Sequence, residues 1–267
     1  MSYQFAKING VKIHYQVKGE GEPLVLIHAA IANLNMWDAQ MKPFTPFFRV
    51  LRYDVRGFGE TPDPAGSYKD YEDLKALLDH LDIPRAHILG ISNGGRIALD
   101  FALTYPQMVN KLVLIAPGLP GFRAPEDKFE VEMSAKYDAA IKEGDNRMAA
   151  DIIAQTWLDG PRRKPNQVDP DFRQRALGLI RHTIDLGIGA GEGEIARPPA
   201  GERLGEVKAP TLLILGEEDL QSMHHIVEKI EQDIPHVTRT NMPGTAHLPP
   251  MEKSEKFNRI VLDFLGN

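Results

Sequence analysis

The chain has 267 residues, no cysteine and a formal net charge of −6. The missing cysteines exclude disulfides, thiolate catalysis and cysteine-ligated zinc. The acidic balance, without a basic run, argues against a nucleic-acid partner, and no apolar stretch approaches the ~18 residues a membrane span needs. Residues 1–9 lack the basic and apolar regions of a secretory signal, so a cytoplasmic location is expected.

Tyr3 to Ile8 and Val11 to Val17 flank Asn9-Gly10, a two-residue hairpin signal. Lys18 to Pro23 reads as a second turn, and Leu24 to Ile27 as a strand buried on both faces. After His28-Ala29-Ala30, Asn35 is the expected cap of a helix from Met36 to Thr45. Phe48 to Tyr53 is the next strand. The Asp54 to Thr61 loop reads as a tight turn held by glycines, with Asp54 and Arg56 bonding locally. The spacing of Tyr71, Leu74, Leu77, Leu78 and Leu81 predicts a helix over Tyr68 to Leu81. Arg85 to Leu89 is a short apolar strand, followed by a helix over Arg96 to Leu103 and a strand over Lys111 to Ile115.

The rhythm then changes. Residues 118–207 hold no convincing strand, only helices over Pro125 to Glu143, Arg147 to Trp157 and Pro170 to Leu186. Breakers at Asp159-Gly160-Pro161 and Gly189 to Gly193 separate them. Strands resume at Thr211 to Leu215 and Val237 to Asn241, with helices at Met223 to Asp233 and Glu252 to Leu265. Alternating strands and helices predict an α/β fold with a mostly parallel sheet and helices on both faces. The expected organisation is a core of residues 1–117 and 208–267 with a helical cap inserted over 118–207.

One turn stands out chemically. In Gly90-Ile91-Ser92-Asn93-Gly94-Gly95 a serine sits between a strand and a helix, the sequence form of a nucleophile elbow. A Cβ at position 90 or 94 would push strand and helix apart. The helix N-terminus would aim N–H groups at the place where negative charge develops. A serine hydroxyl needs a histidine base, and that histidine needs an acceptor on its other nitrogen. His247 lies in a turn-rich loop after the last predicted strand, and Asp219 follows the strand before it. Glu217 and Glu218 compete for the acid role, but Asp219 has the better offset. The order Ser92, Asp219, His247 is the α/β-hydrolase order.

These residues carry a resemblance. The chain resembles the α/β-hydrolase superfamily in Leu24 to His28 with the Ala29-Ala30 loop and in Asp54-Val55-Arg56-Gly57-Phe58-Gly59. Gly90 to Gly95, Pro210 to Asp219 and Gly244 to Glu252 continue the match. The resemblance implies a Ser92, His247 and Asp219 triad, with the N–H groups of Ala30 and Asn93 as the oxyanion hole. The family usually carries glycine where Ala29 stands, which puts the Ala30 donor's geometry in question. Ala29, Trp157 and Leu248 are candidate substrate contacts. His28 is expected to be structural, and Arg162-Arg163-Lys164 a solvated run.

The expected activity is hydrolysis of a small-molecule carboxylic ester or lactone through an acyl-enzyme, a carboxylesterase or lactonase. Alternatives are a carbon–carbon bond hydrolase or cofactor-free perhydrolase with the same triad, or a slow-turnover ligand receptor. The lack of a glycine run after His28 makes the carbon–carbon reading less attractive. Serine at the elbow disfavours the dehalogenases and epoxide hydrolases, which need aspartate there. Metal and nucleotide motifs are missing, so no cofactor or metal is expected. Oligomeric state is not legible.

Overall fold

The computed structural model describes residues 3–187 and 191–266. β1 (Gln4–Ile8) and β2 (Val11–Lys18) form the expected hairpin. Asn9 and Gly10 hold φ of 46° and 84°, the positive values this turn demands. β3 (Glu22–Ile27) and β4 (Phe48–Tyr53) follow, with α1 (Asp38–Phe44) between them. A short 3-10 turn, Leu34–Trp37, precedes α1. Its cap is Asn33, whose side chain accepts the Asn35 N–H at 3.0 Å, so the expected cap at Asn35 is corrected by two residues. β5 (Gly66–Tyr68), α2 (Asp70–His80), β6 (Ala86–Ile91), α3 (Asn93–Thr104) and β7 (Val109–Ile115) complete the first half.

Between β7 and the next core strand lie α4 (Lys128–Glu143), α5 (Asn146–Ala154) and α6 (Pro170–Leu186). Asp127, Asp145 and Asp169 cap them by accepting first-turn N–H groups. These helices share a small core of Met133, Ala140, Ala149 and Ile152. The expectation of no strand here is corrected: β8 (Gly191–Gly193) pairs in parallel with β5. A glycine-rich strand has no apolar alternation to read, so it resembles a breaker. Residues 189 and 190 of the expected Gly189 to Gly193 breaker lie outside the described residues. β9 (Thr211–Gly216), α7 (Gln221–Asp233), β10 (Val237–Met242), α8 (Pro249–Glu252) and α9 (Ser254–Leu265) close the chain.

The large sheet runs β1-β2-β4-β3-β6-β7-β9-β10. All its pairings from β4 to β10 are parallel; β1 with β2 and β2 with β4 are antiparallel. Alternate side chains of each strand serve opposite faces. Val25, Ile27, Ile88 and Leu112 pack with α2, α3 and α7 on one face. Leu24, Leu26, Leu89 and Val113 pack with α1 and α9 on the other. Each such buried side chain contributes about 1.5–3 kcal/mol. This is the doubly covered α/β-hydrolase sheet with an inserted helical subdomain. It places the ends of β6, β9 and β10 at one edge, where ligands bind in open sheets of this kind.

Two glycines at the β6–α3 junction are dictated by space. A Cβ on Gly90 would meet the Gly94 carbonyl oxygen at 2.1 Å. A Cβ on Gly94 would meet the Ile27 oxygen at 2.3 Å and the His28 oxygen at 2.7 Å. The helix can rest on β3 and β6 only where no side chain intervenes.

His28 ends β3 fully buried. Its Nε2 accepts the Val55 N–H at 2.9 Å, which leaves Nδ1–H to donate to the Ala29 oxygen at 2.8 Å. Burial pushes its pKa below the ordinary value, more than the nearby Asp54 raises it. The folded protein therefore holds His28 neutral in a range where the unfolded chain, near 6.5, takes up a proton. Stability is full above about pH 6.5 and falls with pH below it, by about 1.4 kcal/mol per pH unit for this group. His87, also lowered chiefly by burial, adds in the same direction. Urea titrations at pH 6.5 and 5.5 should show this loss, and His28→Asn should remove its share. An unaltered slope in that variant would place the effect elsewhere.

Candidate active site

Ser92 stands at the tip of the β6–α3 turn, partly exposed, with φ of 54° and ψ of −116°. Such values strain a residue that has a Cβ and cost of order 1–3 kcal/mol. The surrounding backbone holds them: Ser92 N–H donates to the Ile115 oxygen at 2.9 Å, while its own oxygen accepts from Arg96 and Gly118, each at 3.0 Å. α3 begins directly after it with Ser92 as the residue before its first turn, and the Ser92 side chain makes no capping hydrogen bond to that turn. Helix α3 thus starts three residues earlier than the periodicity predicted, because two glycines mask the helical pattern.

Asp219 and His247 are brought together from the ends of β9 and β10. His247 Nδ1–H donates to Asp219 Oδ2 at 2.8 Å, and both side chains are almost fully buried. The Leu220 N–H occupies Asp219 Oδ1 at 2.8 Å. With both carboxylate oxygens engaged, the imidazole tautomer is set and Nε2 is left as the basic nitrogen. Among the described residues Ser92 and His247 make no direct hydrogen bond; the topology brings them to one sheet edge. Glu217 and Glu218 turn outward from this pair, Glu218 meeting Arg162 at 3.0 Å.

The N–H groups of Ala30 and Asn93 have no hydrogen-bond partner among the described residues, and both residues are partly exposed. The Ala29 N–H is spent on Met36 Sδ at 3.4 Å. Ala29 and Leu248 are buried in the core beside α1 and α9, so neither offers side-chain surface to a ligand here.

Trp157 lies instead against the imidazole. It belongs to a π-helical turn, Gln155–Asp159, that follows α5. Its ring is 4.3 Å from that of His247, and its carbonyl accepts the His247 N–H at 3.1 Å. The turn is fastened to the histidine loop by Arg163. Its guanidinium donates to the oxygens of Leu158, Asp159 and Gly244 and pairs with Glu252 at 2.6 Å. Glu252 in turn accepts the Ala246 N–H at 3.0 Å. The expectation of a solvated Arg162-Arg163-Lys164 run is therefore corrected: Arg163 is a largely buried clamp between cap and core. Similarly, Arg56 does not bond locally but pairs with Asp73 of α2 at 2.9 Å, whereas Asp54 accepts from Leu34, Glu60 and His14.

A cavity of about 450 Å³ opens beside Trp157. Glu130, Tyr137, Ile152, Leu220 and Ser222 are among its walls. Ser222 Oγ donates to Glu130 Oε1 at 2.6 Å, joining α4 to the first turn of α7. Burial raises the Glu130 pKa, the Ser222 hydroxyl opposes this, and Asp127 and Asp219 raise it further. Sequence reasoning passed over Glu130 and Ser222. Asp127-x-x-Glu130 is an ordinary helix-start pattern, and nothing local couples residues 92 positions apart. Among the described residues no helix is long and apolar enough to cross a membrane, and no cluster of metal-ligating side chains occurs.

The model of the alpha/beta hydrolase fold family matches residues 22–254. A 2-hydroxy-6-oxononadienedioate/2-hydroxy-6-oxononatrienedioate hydrolase of Cupriavidus pinatubonensis is 30% identical, covering 96% of this chain and 91% of its own. A 2-hydroxy-6-oxo-6-phenylhexa-2,4-dienoate hydrolase of Comamonas testosteroni is 28% identical, over 98% and 96%. Among solved structures, the enol-lactonase of Burkholderia xenovorans LB400 superposes with a TM-score of 0.80 at 23% identity, over 99% of this chain and 100% of its own. At that identity the likeness speaks for the fold alone. The expectation of a carboxylesterase or lactonase, a serine esterase, is overturned by the curated relatives. The substrates in their names contain no ester or lactone, and hydrolysis of such a 6-oxo-dienoate must break a carbon–carbon bond. The absence of a glycine run after His28 does not weigh against that alternative, because any residue but proline supplies a backbone N–H donor. Sheet order, elbow and matched length converge: this chain belongs to the α/β-hydrolase fold family.

Proposed function

We propose that the chain hydrolyses a carbon–carbon bond in a 2-hydroxy-6-oxo-dienoate, a small diketo-acid-type substrate. The observation that carries this reading is the full-length similarity to curated hydrolases of that substrate class. The oriented Asp219–His247 pair beside the Ser92 elbow supports it.

The chemistry places clear demands on the site. A carbon leaving group departs only as a stabilised carbanion. The dienol must first become the 2-keto tautomer, moving a proton from the 2-hydroxyl to C5. Ser92 Oγ then adds to the C6 ketone while His247 Nε2 takes its proton. The N–H groups of Ala30 and Asn93 hold the oxyanion. Collapse breaks the C5–C6 bond; its electron pair spreads through the double bond to the 2-keto oxygen, which is protonated. Water, activated by His247, releases the acyl group from Ser92 as a carboxylic acid. The sum is substrate plus water giving one acid and one five-carbon 2-hydroxydienoate. Trp157 and the cap would shield His247 from bulk water.

Following 2-hydroxy-6-oxo-6-phenylhexa-2,4-dienoate by its visible absorbance tests the reading. Catalytic loss of the chromophore is expected. A stable chromophore at high enzyme concentration rejects it. Asp219→Asn should leave the fold intact and lower kcat about 10⁴-fold, since an amide can present the wrong partner to Nδ1–H. A loss under tenfold would remove Asp219 from this role.

A further inference from the structure

The cavity beside Trp157 has an uneven charge pattern. Its walls are largely apolar and carry no Lys, Arg or His, but three carboxylates: Glu126, Asp127 and Glu130. Two of these are otherwise engaged. Asp127 caps α4 through the N–H groups of Phe129 and Glu130, at 2.8 and 3.1 Å. Glu126 faces Arg123 at the surface, 3.5 Å away, with both side chains exposed. Glu130 is half-buried between α4 and α7; Ser222 takes its Oε1, and its Oε2 has no protein partner among the described residues. That 2.6 Å contact has the length of a hydroxyl donating to an ionised carboxylate. An ionised Glu130 puts a negative charge on a half-buried wall that holds no Lys or Arg, where His247 is the group whose charge would offset it.

Ser222 is three residues from Asp219, and Trp157 joins the cavity to the His247 ring. Ser92 and His247 are not among the cavity walls, so a substrate limb bound at Ser92 would have to pass Trp157 to reach this space. Apolar walls favour an uncharged limb, and a limb ending in a carboxylate would meet a like charge at an ionised Glu130.

We infer that Glu130 is a specificity-determining residue: it makes the cap-side cavity accept an uncharged apolar acyl limb and reject one that ends in a carboxylate. This deepens the proposed activity and rests on it for the identity of the limb. The relatives' names cover both kinds, a phenyl ketone and a dienedioate, so overall similarity does not choose between them. The charge of this wall does.

The test compares kcat/KM for 2-hydroxy-6-oxo-6-phenylhexa-2,4-dienoate and 2-hydroxy-6-oxononadienedioate. Wild type should prefer the phenyl substrate by about tenfold or more, and Glu130→Gln should shrink that ratio several-fold. A second readout needs no carbon–carbon cleavage. Two alkyl phosphonofluoridates that differ only in a terminal methyl or carboxylate are reacted with wild type and with Glu130→Gln, and Ser92 modification is followed by intact mass. The methyl reagent should react about tenfold faster with wild type, and Glu130→Gln should narrow that difference several-fold. If neither dienoate is cleaved but the reagents are discriminated and the variant narrows the difference, the proposed activity falls and the role of Glu130 stands. Equal rates for both members of each pair, an unchanged ratio in Glu130→Gln, or no reaction of Ser92 with either reagent overturns the inference.

Discussion

Ser92→Ala should lower kcat on the order of 10⁶-fold while leaving the melting temperature unchanged. The fold does not need the hydroxyl. Ser92 is anchored by backbone groups alone, through its N–H to Ile115 and its oxygen to Arg96 and Gly118. Alanine has the same Cβ and must accept the same φ of 54°, so folded-state strain is unaltered. What disappears is the one nucleophile on the elbow. The N–H groups of Ala30 and Asn93 remain, so binding and some polarisation of the ketone survive. Residual turnover should therefore be finite but independent of further loss at His247, because members of such a unit are not additive. A double variant with His247→Ala that is no slower than the single one checks this.

Gly94→Val should prevent stable folding rather than reduce activity selectively. The Cβ alone would meet two backbone oxygens of the β3 end, at 2.3 and 2.7 Å. These oxygens belong to Ile27, which pairs with both Gly90 and Tyr53 in the sheet, and to His28. Neither can swing away as a side-chain tip could. Relief requires α3 to lift from β3 and β6, and α3 carries Ile97, Ala98 and Phe101 of the core. Overpacking of this kind costs about 1–3 kcal/mol where the neighbours yield and more where they do not. Against a typical stability of about 5–15 kcal/mol, low soluble yield and a much lower urea midpoint are expected. A normal midpoint would mean that the elbow is looser than the contact distances imply.

The same elbow shows what a sequence discloses and what it hides. Gly90, Ser92 and Gly94 were legible because steric need and chemistry act within five residues. Asp219 and His247 were legible because each follows an apolar run, and sheet topology carries strand ends to one edge. The parallel core followed from runs such as Leu24 to Ile27 that serve both faces at once. The clamp of Arg163 on Glu252 joins residues 89 positions apart, and no local pattern marks it. Trp157 was visible only as an aromatic at helical spacing; the π-turn that lays it on His247 has no signature of its own. Ala29 and Leu248 sit beside the motifs and yet face the core, since adjacency in sequence does not fix which way a loop residue points.

Reaction class was the hardest to read. A serine elbow with an Asp219–His247 pair would set the proton path, not the bond that breaks. That bond depends on which substrate carbonyl reaches Ser92 and on what can leave from it. On the proposed function, the cap and the cavity beside Trp157 would govern both. Their contacts, Glu130 with Ser222 and the Trp157 oxygen with His247, span distant segments.

The most direct test is product analysis in ¹⁸O-labelled water with 2-hydroxy-6-oxo-6-phenylhexa-2,4-dienoate. Wild type should release benzoate carrying one solvent oxygen, with an equal amount of a five-carbon 2-hydroxydienoate. Ser92→Ala should release neither at a comparable rate. Recovery of intact substrate from the wild-type reaction, or benzoate formed equally by the alanine variant, would contradict carbon–carbon hydrolysis by this triad.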